Sequence, residues 1–300
     1  MEKQKVAAHI AALITVIVWG TTFIATKILL DSFSPIEILV IRFVIGYMGL
    51  ALYDAVFKPN GQIRKFKFDF REEFLFGLAG LSGVVMYYML ENVALTYTYA
   101  SNVGILVALA PLTTALFVLF LVKEEKVRVN FVGGFLIATV GAALVMFNGS
   151  VKLQLSLKGD LLALAATIGW AIYSITLKKI GNTGYAVSTY TRKIFFWGII
   201  FMLPVALIMG FTINKSSFTL LNIVLLLFLG LGASASCFVS WNFAVGVLGV
   251  LKTSAYIYLT PLVSLFSAAI VLKEELTFMA IGGSLLILGG LYLSEQKRGN

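Results

Sequence analysis

Long apolar stretches alternate with short polar clusters along the whole chain. Ten of these stretches have the length that a helix needs to cross about 30 Å of hydrocarbon, roughly 17–25 residues. The pattern therefore predicts an all-α integral membrane protein with ten transmembrane helices. The predicted spans are 8–30, 35–57, 73–90, 99–122, 130–147, 159–177, 187–209, 219–240, 250–272 and 278–294.

The sequence repeats itself at an offset of 150 residues. In a chain this apolar, matched polar, proline and glycine residues are more informative than matched leucines. The matched sets are Arg42 with Arg192, Asn92 with Asn242, Pro111 with Pro261, Lys123-Glu124-Glu125 with Lys273-Glu274-Glu275, Gly133 with Gly283 and, with a one-residue slip, Trp19 with Trp170. We predict two tandem five-helix halves, residues 1–150 and 151–300.

The basic residues predict how these helices are oriented. If the N terminus is cytoplasmic, most Lys and Arg residues outside the spans lie on the cytoplasmic side, as the positive-inside rule requires. The external segments then contain only Lys152, Lys158, Lys215 and Lys273. Both termini are cytoplasmic in this arrangement. Because each half has an odd number of spans, the second half enters from the opposite side, which predicts an inverted-topology repeat typical of secondary transporters.

Composition supports a membrane environment. The chain is 60% apolar and 12% charged, with a mean hydropathy of +0.97, whereas soluble domains average about 25% charged residues. The net charge of +9 does not predict nucleic-acid binding, because the basic residues lie at segment ends and form no aromatic-rich basic face. We expect a multi-pass protein of the cytoplasmic membrane, either a monomer or a homodimer, with the lipid bilayer as its partner.

Aromatic and polar residues within the spans are candidates for the lining of a substrate cavity. Trp19 and Thr22 share a face of span 1, and Trp170 and Tyr173 occupy the equivalent level of span 6. The full candidate set is Trp19, Thr22, Tyr88, Asn92, Trp170, Tyr173, Trp241, Asn242, Tyr256 and Tyr258. The alternatives are interhelical packing for the threonines and tryptophans, and helix capping for the two asparagines.

Two prolines and one arginine mark further positions inside the spans. Pro111 and Pro261 each remove a backbone hydrogen bond, which predicts a kink in spans 4 and 9. Such a kink is either a hinge or a static bend. Arg42 lies inside span 2, where its nearest candidate partners in the sequence are Glu37 and Asp31. Orientation of the helix by snorkelling is the alternative for this arginine.

Small residues in spans 5 and 10 predict close packing between helices, because they allow backbones to approach. The residues concerned are Gly133, Gly134, Ala138, Gly141, Ala142, Gly282, Gly283, Gly289 and Gly290.

Several classes of chemistry lack the residues that they need. His9 is the only histidine and Cys237 the only cysteine, which excludes an intramolecular disulfide, a Ser–His couple and metal sites built from these residues. No GxxxxGK[ST] phosphate loop occurs, so ATP hydrolysis is not expected. We predict neither a cofactor nor a bound metal, and no enzyme activity. Glu91 and Asp54 are the chief candidates if transport is coupled to protons.

These features together resemble EamA-type permeases of the drug/metabolite transporter superfamily. The resemblance covers nearly the whole chain and rests on the two five-helix halves, Trp19-Gly20-Thr21-Thr22-Phe23, Arg42, Pro111, Pro261, and Glu124 or Glu274 followed by a Gly-rich helix. The Lys-Glu-Glu-Leu-Thr run that begins at Lys273 is similar to the Gly-Glu-Pro-Leu-Thr type often seen in this family, with Lys273 and Glu275 replacing Gly and Pro. The resemblance implies a central cavity lined by spans 1, 3, 4, 6, 8 and 9, and transport of small metabolites, amino acids among them.

The sequence therefore predicts a secondary transporter that moves a small amphipathic or zwitterionic solute by alternating access, and we expect an exporter. A passive pore is the first alternative, since it would use the same cavity. A membrane enzyme acting on lipid head groups is the second, although the sequence supplies no nucleophile, acid or metal cluster at one interface.

Overall fold

The computed structural model describes residues 2–57, 69–94, 97, 106–121, 129–147, 156–271 and 277–295. Every regular element within these ranges is a helix, and they contain no strand. In chain order the α-helices are α1 (Glu2–Leu29), α2 (Pro35–Phe57), α3 (Phe70–Ala79), α4 (Tyr87–Ala94), α5 (Ala110–Leu121), α6 (Val129–Phe147), α7 (Leu157–Ile180), α8 (Val187–Ile208), α9 (Leu220–Leu227), α10 (Cys237–Leu248), α11 (Val250–Ala255), α12 (Thr260–Val271) and α13 (Phe278–Glu295).

Six helical stretches of the described chain are long and apolar enough to cross a membrane. They are Glu2–Thr22, Pro35–Phe57, Phe70–Glu91, Leu157–Thr183, Val187–Ile208 and Leu220–Leu248. Large apolar side chains are exposed on the outer faces of several helices; Ile208, for example, is 86% exposed. Such surfaces suit lipid rather than water. The chain is an all-helical, multi-pass membrane protein.

Polar side chains fix the beginnings of several helices. At the start of α2, the Glu37 carboxylate accepts a hydrogen bond of 2.7 Å from the Ser34 N–H, and the Ser34 hydroxyl oxygen accepts one of 3.4 Å from the Glu37 N–H. This reciprocal pair is a capping box. Asp69, Ser156 and Thr219 similarly accept from backbone N–H groups in the first turns of α3, α7 and α9.

Two stretches of π-helix interrupt segments that are otherwise α-helical. Gly80–Met86 joins α3 to α4, and Phe228–Ser236 joins α9 to α10. The two stretches overlap when the chain is shifted by the 150-residue offset of the repeat, since residues 80–86 correspond to 230–236. The π-helix is rare, and it occurs frequently at functional sites.

Helices from the first 150 residues pack against helices from the last 150. Helix α1 packs against α10 and α12, and helix α7 packs against α4 and α5. Helix α2 packs against α8 and against Phe228–Ser236, while α8 packs against Gly80–Met86. Helix α10 also contacts α7. As a result, the helices that carry Trp19, Trp170 and Trp241 meet.

Glycines bring α6 and α13 together at backbone distance. A Cβ atom added to Gly141 would lie 2.5 Å from the Gly283 carbonyl oxygen, and one added to Gly283 would lie 2.6 Å from the Gly141 carbonyl oxygen. Gly134 and Gly290 form a second reciprocal contact of this kind. The close packing predicted for spans 5 and 10 is thus confirmed. Three glycines of the predicted set face elsewhere, with no heavy atom within 4 Å of an added Cβ: Gly133, Gly282 and Gly289.

A single residue, Gly249, separates α10 from α11. Its φ of 86° lies in the left-handed region that favours glycine. The break at Gly249 coincides with the predicted start of span 9 at residue 250. In the first half, α4 ends at Ala94, and residues 98–105 lie outside the described chain, as do both Lys-Glu-Glu runs at 123–125 and 273–275.

Candidate functional site

Three tryptophans from three helices form one cluster, which we call the tryptophan cluster: Trp19 on α1, Trp170 on α7 and Trp241 on α10. The centroid of the Trp19 ring lies 5.6 Å from that of Trp170 and 5.2 Å from that of Trp241. The centroids of the Trp170 and Trp241 rings are 6.0 Å apart. These separations are typical of attractive aromatic contacts. The structure thus brings together tryptophans that are distant in sequence and that were predicted to line a cavity.

The three indole N–H groups differ in their hydrogen bonding. Trp19 Nε1 donates to the Ala233 carbonyl oxygen at 2.9 Å, within the Phe228–Ser236 segment. Trp170 and Trp241 are buried, at 4% and 1% exposure, and their Nε1 atoms have no acceptor in the described part of the chain. A buried donor without an acceptor is costly. The cluster therefore holds two indole donors that no described residue satisfies.

Tyrosines extend the cluster toward helix α2. The ring of Tyr87 lies 5.3 Å from that of Trp170 and 5.0 Å from that of Tyr88. Tyr88 in turn lies 5.6 Å from Phe43. Tyr88 was a predicted site residue, whereas Tyr87 was missed. The adjacent pair of tyrosines was visible in the sequence, but only the backbone geometry at the end of Gly80–Met86 shows that both join the cluster.

Arg42 lies beside this tyrosine pair and is 5% exposed. Its Nε donates to the Ser234 hydroxyl at 2.9 Å, and its guanidinium carbon lies 5.1 Å from the centre of the Tyr88 ring. The prediction that Glu37 or Asp31 is the partner of Arg42 was therefore wrong. Glu37 instead accepts hydrogen bonds from Ser34 and Thr212.

Asn242 is fully buried and joins three helices. Its Oδ1 accepts a hydrogen bond of 2.7 Å from the Tyr173 hydroxyl on α7, and its Nδ2 donates at 2.9 Å to the Thr191 hydroxyl on α8. It lies inside α10, so it does not cap a helix end as the sequence also allowed. The Tyr173 ring contacts that of Trp170 at 5.2 Å, which places it at the edge of the cluster. The side chain of Asn92 lies outside the described residues.

The remaining candidates lie on other contacts. The Thr22 hydroxyl donates to the Trp19 carbonyl of its own helix at 2.7 Å. The Tyr256 hydroxyl lies 2.7 Å from His9 Nδ1. Tyr258 is buried, faces α6 and shares a hydrogen bond of 2.7 Å with the Thr139 hydroxyl. The candidate residues that meet in one connected aromatic group are Trp19, Tyr88, Trp170, Tyr173 and Trp241.

Both prolines lie just after a break in an α-helix. Pro111 is the second residue of α5 and follows a turn at residues 108–109. Pro261 is the second residue of α12 and follows the 3₁₀ segment Tyr256–Leu259. Proline is well tolerated in the first turn of a helix, where its missing N–H would have no intrahelical acceptor. The two prolines therefore begin new α-helices within their predicted spans.

Ionic contacts join helices α2 and α3 to the first turns of α8. The Asp54 carboxylate accepts hydrogen bonds from the Ser188 and Thr189 hydroxyls at 2.6 and 3.2 Å, and Arg192 Nε lies 3.1 Å from it. Further along α8, Lys193 forms an ion pair with Glu73, whose other carboxylate oxygen accepts a hydrogen bond of 2.9 Å from Trp197 Nε1. These contacts were not predicted, because their partners are more than 100 residues apart.

Metal chemistry has no assembled ligand set in the part of the chain that is described. No three His, Cys, Asp or Glu side chains come together there in a group that could hold a metal ion.

Comparisons with known proteins agree with this architecture. The family model of the EamA-like transporter family matches the chain twice, over residues 6–147 and 157–295. An uncharacterized transporter of Archaeoglobus fulgidus is 29% identical over 298 residues, covering 97% of this chain and 98% of that protein. A protein of Streptantibioticus cattleyicolor named "Probable terminal-alkyne amino-acid exporter" is 27% identical over 292 residues, covering 96% and 93%. One crystal structure aligns with a TM-score of 0.78 over 96% of this chain and 97% of that chain, and at 18% identity this is a likeness of fold.

Proposed function

Because the chain belongs to the EamA-like transporter family, we propose that it is a secondary transporter that works by alternating access. The proposed cargo is a small amphipathic metabolite such as an amino acid, and the proposed direction is export across the cytoplasmic membrane. The observation that carries the proposal is the tryptophan cluster, in which α1, α7 and α10 hold two indole donors without acceptors among the described residues. The family and the relatives named as transporters point to transport rather than to an enzyme.

The proposed architecture has ten transmembrane helices in two inverted five-helix halves, residues 1–150 and 151–300, with both termini cytoplasmic. Three observations support it. The family model matches the chain twice, the π-helical stretches recur at the repeat offset, and α1 packs on α10 as α7 packs on α4. Two halves with opposite orientation can exchange inward-open and outward-open shapes.

The proposed binding site is the tryptophan cluster together with Tyr87, Tyr88 and Tyr173. Aromatic faces suit an apolar side chain, and a few fixed polar groups orient the ligand. The Streptantibioticus relative is named as an amino-acid exporter, which supports an amino acid as cargo. The cargo would separate the rings of helices that belong to different halves. Pro111 and Pro261 are the proposed hinges, since each begins a new helix after a break.

A direct test of function is transport by the purified protein in liposomes. We would screen labelled amino acids and neutral metabolites, with and without an imposed proton gradient, and compare the rates with protein-free liposomes. Accumulation of an amino acid above its external concentration in response to the gradient supports coupled transport, with Glu91 and Asp54 as the candidates for proton coupling. Movement of sugar phosphates without any amino acid or neutral metabolite would overturn the proposed cargo.

A second test separates alternating access from a passive pore. His9 and Thr22 are half-buried residues on α1, on either side of Trp19. Each is replaced by Cys in a Cys237→Ala background, and the reaction with an impermeant maleimide is measured. In a transporter, conditions that expose one position protect the other. A pore leaves both positions reactive at the same time. Cross-linking and light scattering of the same preparations distinguish the proposed monomer from a homodimer.

A further inference from the structure

Two side chains of opposite charge lie beside the tryptophan cluster, within a largely apolar region. Arg42 is buried in α2, and Glu91 follows Tyr87 by one helical turn in α4. Glu91 also follows Tyr88, whose ring contacts the Arg42 guanidinium, by three residues, so the Glu91 side chain lies on the same helix face as Tyr88. The two charges form no direct ion pair among the described side chains. Charges in a site of low polarity are costly unless they are paired or hydrogen-bonded. Arg42 lies within the apolar stretch Pro35–Phe57, and Glu91 is the last residue of the stretch Phe70–Glu91. Charged residues in spanning helices point to a functional site.

The contacts of Arg42 hold its guanidinium in one orientation. Its Nε donates to the Ser234 hydroxyl, and its guanidinium carbon lies 5.3 Å from the Phe43 ring and 5.1 Å from the Tyr88 ring. Ser234 directly follows Ala233, whose carbonyl accepts the hydrogen bond from Trp19. One π-helical segment thus positions both the arginine and a wall of the tryptophan cluster. A guanidinium held in this way presents a planar fork of donors, which suits a carboxylate.

The pair of opposite charges, Arg42 and Glu91, has no counterpart at the equivalent positions of the repeat. Arg192, the equivalent of Arg42, lies near the start of α8. Its side chain is about one third exposed and contacts Asp54 of α2. The equivalent of Glu91 is Trp241, which is apolar apart from its indole N–H. A pair required only to build the fold would be expected in both halves. Because the pair occurs once, the two charges give the site a fixed polarity.

Building on the proposed transport function, we infer that Arg42 and Glu91 are the specificity-determining residues that bind the two charged ends of a zwitterionic solute. Arg42 binds the carboxylate, and Glu91 binds the ammonium group. The apolar part of the solute lies against Trp170 and Trp241, whose indole N–H groups are available as further donors. The matching substrate class is an α-amino acid with an apolar side chain.

The test measures binding of three related probes to the purified full chain. L-leucine carries both charges, leucinamide lacks the carboxylate, and 4-methylpentanoate lacks the ammonium group. Three of the four tryptophans of the chain belong to the cluster, so intrinsic fluorescence reports binding directly. We expect L-leucine to bind at least about tenfold more tightly than either analogue, the scale set by the loss of hydrogen bonds to one charged group.

Substitutions should change selectivity in opposite directions. Glu91→Gln should weaken L-leucine binding by about tenfold and leave 4-methylpentanoate binding unchanged. Arg42→Gln should also weaken L-leucine binding by about tenfold and leave leucinamide binding unchanged. Arg192→Gln changes the equivalent position of the repeat and serves as the control. This variant should bind the three probes with the same selectivity as the wild type. If Arg42→Gln fails to fold, Arg42→Lys retains the charge without the planar fork, and it should still lower the affinity for L-leucine.

Two results would overturn the inference. One is that the wild type binds none of the three probes, or binds them equally. The other is that the Arg42 and Glu91 variants keep wild-type selectivity for L-leucine. Either result leaves the proposed function standing if the liposome screen finds another solute that the protein transports. The proposed transport function itself fails if no solute moves in that screen.

Discussion

Trp19 and Trp170 occupy equivalent positions in α1 and α7, yet their indole N–H groups have different surroundings. Trp19 Nε1 donates to the Ala233 carbonyl oxygen, whereas Trp170 Nε1 is buried without an acceptor in the described chain. The protein therefore satisfies the indole donor of Trp19, whereas that of Trp170 has no acceptor among the described residues. In the proposed site, Trp19 has a stabilising role and Trp170 a binding role.

Replacing each tryptophan by Phe keeps an aromatic ring and removes the N–H. Trp19→Phe leaves the Ala233 carbonyl without its donor and should lower stability by about 1–3 kcal/mol. Trp170→Phe should leave stability within about 1 kcal/mol of the wild type, because no protein hydrogen bond is lost, but it should slow transport about tenfold. The measurements are thermal unfolding in detergent and transport per folded molecule in liposomes. Equal losses of stability and transport in both variants would show that the two tryptophans share one packing role.

Asp54→Asn should destabilise the junction between α2 and α8. The carboxylate accepts hydrogen bonds from Ser188 and Thr189 and pairs with Arg192, and an amide cannot replace all three contacts. We expect a loss of about 1–3 kcal/mol, the usual range for hydrogen bonds to a charged group. Asp31→Asn is the matched control, because Asp31 is exposed in the turn after α1. A control variant that unfolds as readily as Asp54→Asn would refute this explanation.

The ion pair between Glu73 and Lys193 is suited to a double-mutant cycle. Their side chains are only 11% and 13% exposed, so breaking the pair leaves a buried charge. Each of Glu73→Gln and Lys193→Met should cost about 3–5 kcal/mol. The double variant should cost clearly less than the two single losses added together, since no charge remains unpaired. Unfolding midpoints of the four proteins provide the cycle, and strict additivity would mean that the two residues do not interact.

Neighbouring glycines in α13 offer a test of helix packing with an internal control. A Cβ atom on Gly283 would meet the Gly141 carbonyl oxygen at 2.6 Å, whereas one on Gly282 would meet nothing within 4 Å. Gly283→Val should therefore separate α6 from α13 and lower the yield of folded protein severalfold, as overpacking costs about 1–3 kcal/mol or more. Gly282→Val should express like the wild type. Size-exclusion profiles of both variants give the comparison.

The sequence predicted the elements better than the contacts between them. Apolar length predicted the six stretches that the structure shows to be helical and long enough to cross a membrane, and the repeat paired Trp19 with Trp170. It could not show that Arg42 contacts Ser234, because that partner is 192 residues away and belongs to the other half. Nor did it indicate the π-helical stretches, whose residues carry no distinctive pattern. Tyr258 was a candidate for the cavity lining, but it lies in the 3₁₀ segment at residues 256–259 and its hydroxyl bonds to Thr139 on α6.

Gly249 limits how the second half of the chain can move. It is the only residue between α10, which carries Trp241 and Asn242, and α11, which leads to the break before Pro261. Because one residue forms the whole connection, α10 and α11 can move relative to each other only by rotation about the φ and ψ torsions of Gly249. A rotation of α10, which carries Trp241, is therefore passed directly to α11. Gly249 is thus the pivot between the helix that carries Trp241 and the helix that leads toward Pro261.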